Sequence, residues 1–161
     1  MPIPNTKGRV RAVRYHDLHH VLTGYATDTL GEFEISAWEI GSGCKEFITA
    51  WQLNLSGMFA GALLTPRRTW RAFMRGRHSN NLYGTAYDDT LLSERVDEVR
   101  SRLRIQPDGP VPPANASDAA AFVASTAGGF TIGMTMFAFM VPMAVVANVA
   151  AAIRRPVTGR A

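Results

Sequence analysis

The sequence predicts an all-α protein: a compact helical domain built around a helical hairpin, followed by a C-terminal hydrophobic helix. Three observations carry this reading. Apolar residues recur at helical spacing along most of the chain, and no alternating strand pattern survives inspection. Helix start and stop residues fall where those patterns begin and end. Finally, Ala119 to Ile153 runs for 35 residues without a charge.

Composition narrows the class. The 161 residues are 47% hydrophobic and 19% charged, which fits a globular or membrane-associated protein and excludes a disordered one. The net charge of +4 and pI near 9.7 suit an anionic partner. The basic residues are spread through helices and no nucleic-acid motif occurs, so a membrane surface is expected and nucleic acid is not. Cys44 is the only cysteine, which excludes an intramolecular disulfide and fits a reducing compartment. Residues 1–6 hold two prolines and no apolar signal core, so no export is expected.

Taken in order, Lys7 to Leu22 reads as a helix, with Val10, Val13 and Leu18 beside the basic Arg11 and Arg14. Gly24 suits the position just past its end, and Thr27 or Asp28 suits the cap of the next helix, Asp28 to Ile40. Gly41-Ser42-Gly43 stops that helix. Glu46 to Leu64 is a third, mostly apolar helix, suited to core packing or to the wall of a groove. Gly57 and Gly61 would let another helix or a ligand come close. Thr65-Pro66 opens a helix from Pro66 to Met74 carrying Arg67, Arg68 and Arg71, with Arg75 and Arg77 just beyond. These arginines form either a solvated face or an anchor for an acidic group, because guanidinium forks match carboxylate and phosphate. Asn80 to Tyr87 is expected to be helical. Thr90 is expected to cap a helix from Leu91 to Leu103, laced with ion pairs. Residues 107–117 read as a proline-rich linker between a domain at 1–106 and a hydrophobic segment at 118–161. Phe130 to Ile153 is long enough to span a bilayer, and Pro142 is tolerated in such helices. Arg154 and Arg155 at its end run against the positive-inside trend, which an in-plane segment would avoid. A buried or oligomer-forming helix is the competing reading.

The stretch with chemistry in it is His16 to Gly43. On a helix, His16 and His20 lie one turn apart on one face, the spacing at which two imidazoles share a metal. Such a pair also occurs on ordinary polar faces. Here, however, Glu32 returns at the start of the second helix, and Asp17 sits about 100° around from His16. Asp17 is placed to ligate or to orient a ligand histidine. His19 points away from the His16/His20 line and reads as a surface or packing residue. The candidate metal ligands are therefore His16, Asp17, His20 and Glu32. Such a nitrogen and oxygen set suits one divalent ion; zinc, the expected one, iron(II) and manganese all fit, and ligand type alone does not choose between them.

The pattern H-D-x-x-H, eleven residues, then E resembles the signature of the ubiquinone (coenzyme Q) biosynthesis family named for the fourth eukaryotic Coq protein. The resemblance extends to His-Val-Leu-Thr-Gly at 20–24, Leu30-Gly31-Glu32, Trp38-Glu39, Arg75-Gly76-Arg77 and the charged stretch Ser93 to Ile105. It covers about residues 8 to 106. It implies a metal-dependent lyase that removes, or oxidatively replaces, the C1 carboxyl group of a polyprenyl-hydroxybenzoate. Arg75 and Arg77 would then bind substrate, and the metal site is the best candidate for the catalytic centre. The expected partners are the polyprenylated aromatic lipid, other quinone biosynthesis enzymes and a membrane, with the main domain cytoplasmic. The competing role is a non-catalytic prenyl-lipid-binding scaffold that organises those enzymes. A phosphohydrolase of the HD type would need a second His-Asp element, and the spacing of His78 and Asp88-Asp89 does not supply one.

Overall fold

A computed structural model describes residues 7–44 and 48–154. They form seven α-helices, with no strand among the described residues: α1 (Lys7–Thr23), α2 (Thr29–Ser42), α3 (Ile48–Leu64), α4 (Pro66–Arg77), α5 (Asp89–Ser93), α6 (Val96–Leu103) and α7 (Ala116–Arg154). The all-α expectation holds.

Local chemistry sets the hairpin. α1 stops at Gly24, whose φ of +75° is the left-handed region that favours glycine. Its last carbonyls are covered from a distance: Arg100 donates from Nε to Leu22 O at 2.8 Å and from Nη2 to Val21 O at 3.0 Å. Of the two expected caps, Asp28 is the one used, its carboxylate accepting from the Gly31 N–H at 2.8 Å. α2 ends at Gly43, with φ +99° and its N–H bonded to the Glu39 carbonyl.

α2 is the central helix, packed most extensively against α4 and α3. Its approach to α4 is close because glycine stands on both sides. A Cβ on Gly76 would run into the Trp38 carbonyl, and one on Gly41 into the Phe73 carbonyl. Around this crossing Ile35, Trp38, Phe73 and Met74 are fully buried. Each such side chain contributes about 1.5–3 kcal/mol by leaving water. Gly57 and Gly61 of α3 are likewise filled by protein, Ser36 against the first and Phe33 with Thr69 against the second. Of the two readings of those glycines, the close approach of a helix is the one realised.

The hydrophobic segment does not stand apart beyond its linker. The first turns of α7 dock on α3 and α4, with Gly129 against the Leu55 carbonyl and Phe122 edge-on to Trp70 and Phe73 at 5.0 and 5.3 Å. Asn115 and Asp118 cap each other's N–H groups at the start of α7. Asp118 also pairs with Arg77 Nε at 3.0 Å. The Asn115 N–H, and then Arg77, hold the Asp118 carboxyl below the usual range. The linker itself is tied down, with Val111 packed on the core and Arg75 Nη2 donating to Gly109 O at 2.9 Å.

Three expectations need correction. Residues 80–87 are not helical, because the Leu82 N–H and the Tyr83 hydroxyl are drawn inward to buried acceptors. The helix expected over 91–103 is two helices, capped first at Asp88 rather than Thr90. It breaks at Glu94, which takes an extended ψ of 146° and accepts both bonds of Arg102. Among the described residues, no helix is long and apolar enough to cross a membrane. The span expected over 130–153 is therefore unsupported, and several of its side chains lie outside the described set. The expected start of the third helix at Glu46 also lies outside the described residues.

The Gly76 contact makes a stability prediction. Gly76→Ala should cost roughly 1–3 kcal/mol, since the new methyl group meets backbone that cannot rotate aside. Urea unfolding of the variant should show the lower midpoint, and an unchanged midpoint would mean the helices are not this close.

Candidate metal centre

The hairpin brings two of the expected groups from α1 and one from α2 to a single point. His16 Nε2 and His20 Nε2 are 3.2 Å apart. Glu32 Oε2 lies 3.3 Å from the first and Glu32 Oε1 3.3 Å from the second. Ligand atoms about 2.0–2.2 Å from one tetrahedral ion stand about 3.3–3.6 Å from each other. The three side chains therefore fit a shared divalent ion, and their ligand atoms all lie within 4.8 Å of one another.

The remaining ring nitrogens are also engaged. His16 Nδ1 faces Glu39 Oε1 at 3.1 Å, and His20 Nδ1 faces the Tyr25 carbonyl at 3.0 Å. A proton on each Nδ1 leaves both Nε2 lone pairs for a metal, the arrangement that fixes tautomer and ring angle at metal sites. Asp17 does not join the cluster. It is exposed on α1, because the 100° step that separates it from His16 carries it away from α2. The orienting carboxylate is Glu39 instead.

Glu39 lies two turns after Glu32 on α2 and is fully buried. Four side chains surround its carboxylate. His16 and His19 donate to Oε1, the latter from Nδ1 at 2.7 Å. Tyr83 donates to Oε2 at 2.7 Å, and Asn54 Nδ2 donates there as well. His19, expected at the surface or in packing, is a buried member of this network. Its Nε2 accepts from the Leu82 N–H at 3.0 Å, which places the ring proton on Nδ1. Burial works against the charge on Glu39, but the hydrogen bonds from His16 and His19 outweigh it and lower its pKa to about 2. Burial likewise disfavours a charge on His16, yet the bond to Glu39 and the charges of Glu39 and Glu32 raise it to about 9. An ion binding at His16 therefore displaces a proton.

A cavity of about 200 Å³ opens on this centre, lined by the polar His16, Glu32, Glu39 and Tyr83 and by the apolar Ala12, Val13, Ala50 and Leu53. Val13 and Leu53 are 46% and 47% exposed, which makes the mouth apolar. The two expected substrate-binding arginines do not line it. Arg77 is paired with Asp118, and Arg75 faces a separate cleft. Compared with known protein families, curated proteins and solved structures, the chain matches none.

His16, His20 and Glu32 were legible in the sequence because the first two are one helical turn apart and the third follows in the first turn of the next helix, across a short connection. Glu39 carried a weaker signal, its seven-residue spacing from Glu32, which places both on one face. Nothing local marked Asn54 or Tyr83.

Two predictions follow from the network. Glu39→Gln replaces the carboxylate that holds His16 and should weaken metal affinity about 10–100-fold, as read by chelator competition. An affinity equal to that of the parent would remove Glu39 from the site. Cys44 is buried beneath Asn54 and Glu39. Burial, reinforced by the Glu39 charge, pushes its thiol up to about 12, so it is a thiol rather than a thiolate near neutral pH. Iodoacetamide at pH 8 should leave it unmodified in the native protein and alkylate it after unfolding.

Proposed function

We propose that this chain is a metal-dependent protein of quinone biosynthesis that acts on a prenylated hydroxybenzoate, as its resemblance to the Coq-four family implies. The observation that carries the reading is the convergence of His16, His20 and Glu32 beside an apolar-walled cavity. A substrate with a polar aromatic head and a hydrocarbon tail has both halves matched there.

His16, His20 and Glu32 would hold the ion, with zinc first and iron or manganese compatible with the same donors. When bound, the ion supplies a Lewis acid that polarises a carboxylate or phenolic oxygen. The other roles belong to the chain. Glu39 and the Tyr25 carbonyl keep both imidazoles aimed at one point. Val13, Ala50 and Leu53 take the apolar part of the ligand and exclude water from the ring. In the simple reaction the bond from C1 to its carboxyl carbon breaks, carbon dioxide leaves, and a proton takes its place. The oxidative variant puts a hydroxyl there and requires an oxidant such as dioxygen. Membrane attachment and association with neighbouring enzymes belong to the same proposal, because the tail of such a substrate resides in lipid.

Purified protein should contain one divalent ion per chain, and His20→Ala should lose most of it. The loaded protein should release carbon dioxide from a short-chain prenyl-4-hydroxybenzoate, and His20→Ala should not. Metal retained in His20→Ala would contradict the site. Metal bound without turnover would leave the prenyl-lipid-binding scaffold as the role.

A further inference from the structure

A second and larger cavity, about 430 Å³, lies between the C-terminal end of α4, α6 and residues 105–112, and contains none of the three metal-binding side chains. Its polar wall carries Arg75, His78, Arg100 and Arg104, with no carboxylate in the lining. Two of these arginines are held by backbone carbonyls rather than by carboxylates: Arg75 by Gly109, Arg100 by Val21 and Leu22. Asp108, within residues 105–112, is exposed and does not line the cleft, and three other acids nearby are engaged elsewhere. Asp97 pairs with Arg95, Glu34 with Arg68, and Asp118, beside His78, with Arg77. Lining the cleft, the Arg75 Nε and the Tyr25 hydroxyl are buried beside each other, at a geometry short of a well-formed hydrogen bond. A buried guanidinium N–H so weakly paired is costly, and an added acceptor would satisfy it. Burial raises the Tyr25 hydroxyl pKa, and Arg75 beside it opposes that rise. The remaining wall is apolar, formed by Trp38, Ile105 and Pro107, Pro110 and Pro112.

We propose that this cleft binds a phosphate monoester that carries an apolar body. Three guanidinium groups and an imidazole match a group of charge near −2 with three acceptor oxygens better than they match a single carboxylate. The volume far exceeds that of a phosphate ion alone, and the proline and tryptophan wall accounts for the excess. The site stands apart from the metal centre and does not depend on the function proposed for it.

The probes are phenyl phosphate and inorganic phosphate, titrated into the full chain by calorimetry, and vesicles containing phosphatidic acid for a lipid-borne phosphate. Phenyl phosphate should saturate one site, bind more tightly than inorganic phosphate and weaken as salt rises. Arg104→Gln changes an exposed residue and should reduce affinity about tenfold with an unaltered melting temperature. His78→Gln should weaken it further. Glu32→Ala, which removes a metal ligand that does not line this cleft, should bind as the parent does. Vesicle binding that depends on Arg104 and is displaced by phenyl phosphate would assign the phosphate to a lipid; soluble binding alone would assign it to a free metabolite. The proposal fails if none of the three probes binds, if the Arg104→Gln, His78→Gln double variant binds like the parent, or if Glu32→Ala abolishes binding.

Discussion

A single buried charge organises the site. Taking a carboxylate out of water costs several kcal/mol unless donors replace the lost hydration. Glu39 receives four, from α1, from α3 and from the turn around Tyr83. These segments are far apart in sequence and have few close backbone approaches to one another. Because one unmet donor leaves a buried charge exposed to a low dielectric, the segments are fixed together or not at all. The α1–α2 seam is thus polar at its centre.

The opposite side of α2 works by shape. Gly41 and Gly76 let α2 and α4 touch through their backbones, and the apolar side chains close around that contact. This rigid face gives Glu32 and Glu39 a fixed platform. α3 seals the same platform through Gly57 and Gly61, and also contributes Asn54 to the carboxylate. Preorganisation of this kind is what a metal site needs, since ligand positions must be held to fractions of an ångström.

The hairpin also lines two unlike cavities. In one an apolar mouth leads to His16 and Glu32; in the other, arginines gather around Tyr25 and Trp38. Tyr25 links the basic cleft to the metal centre: its carbonyl accepts from His20, and its hydroxyl lies beside Arg75. Trp38 does so less directly, lining the basic cleft while its ring meets His19 edge-on at 5.1 Å.

What the sequence determined by itself is what depends on near neighbours. Helical periodicity, Gly24, Asp28 and Gly43 placed the hairpin, and the one-turn spacing of His16 and His20 put two imidazoles on one face. Tertiary structure decided the rest. It chose Glu39 over Asp17 as the orienting carboxylate, because the choice depends on how α1 is rotated against α2. It buried His19, which local geometry directed away from the ligand pair. It unwound residues 80–87, where helical propensity lost to the hydrogen bonds that Leu82 and Tyr83 make across some sixty and forty residues. It folded α7 back onto α3 and α4, a docking set by Gly129 and Asp118, whose partners no spacing rule reveals. Local rules reach about one helical turn, whereas a buried charge and a close-packed backbone contact are satisfied by whichever distant groups the fold brings within 3 Å.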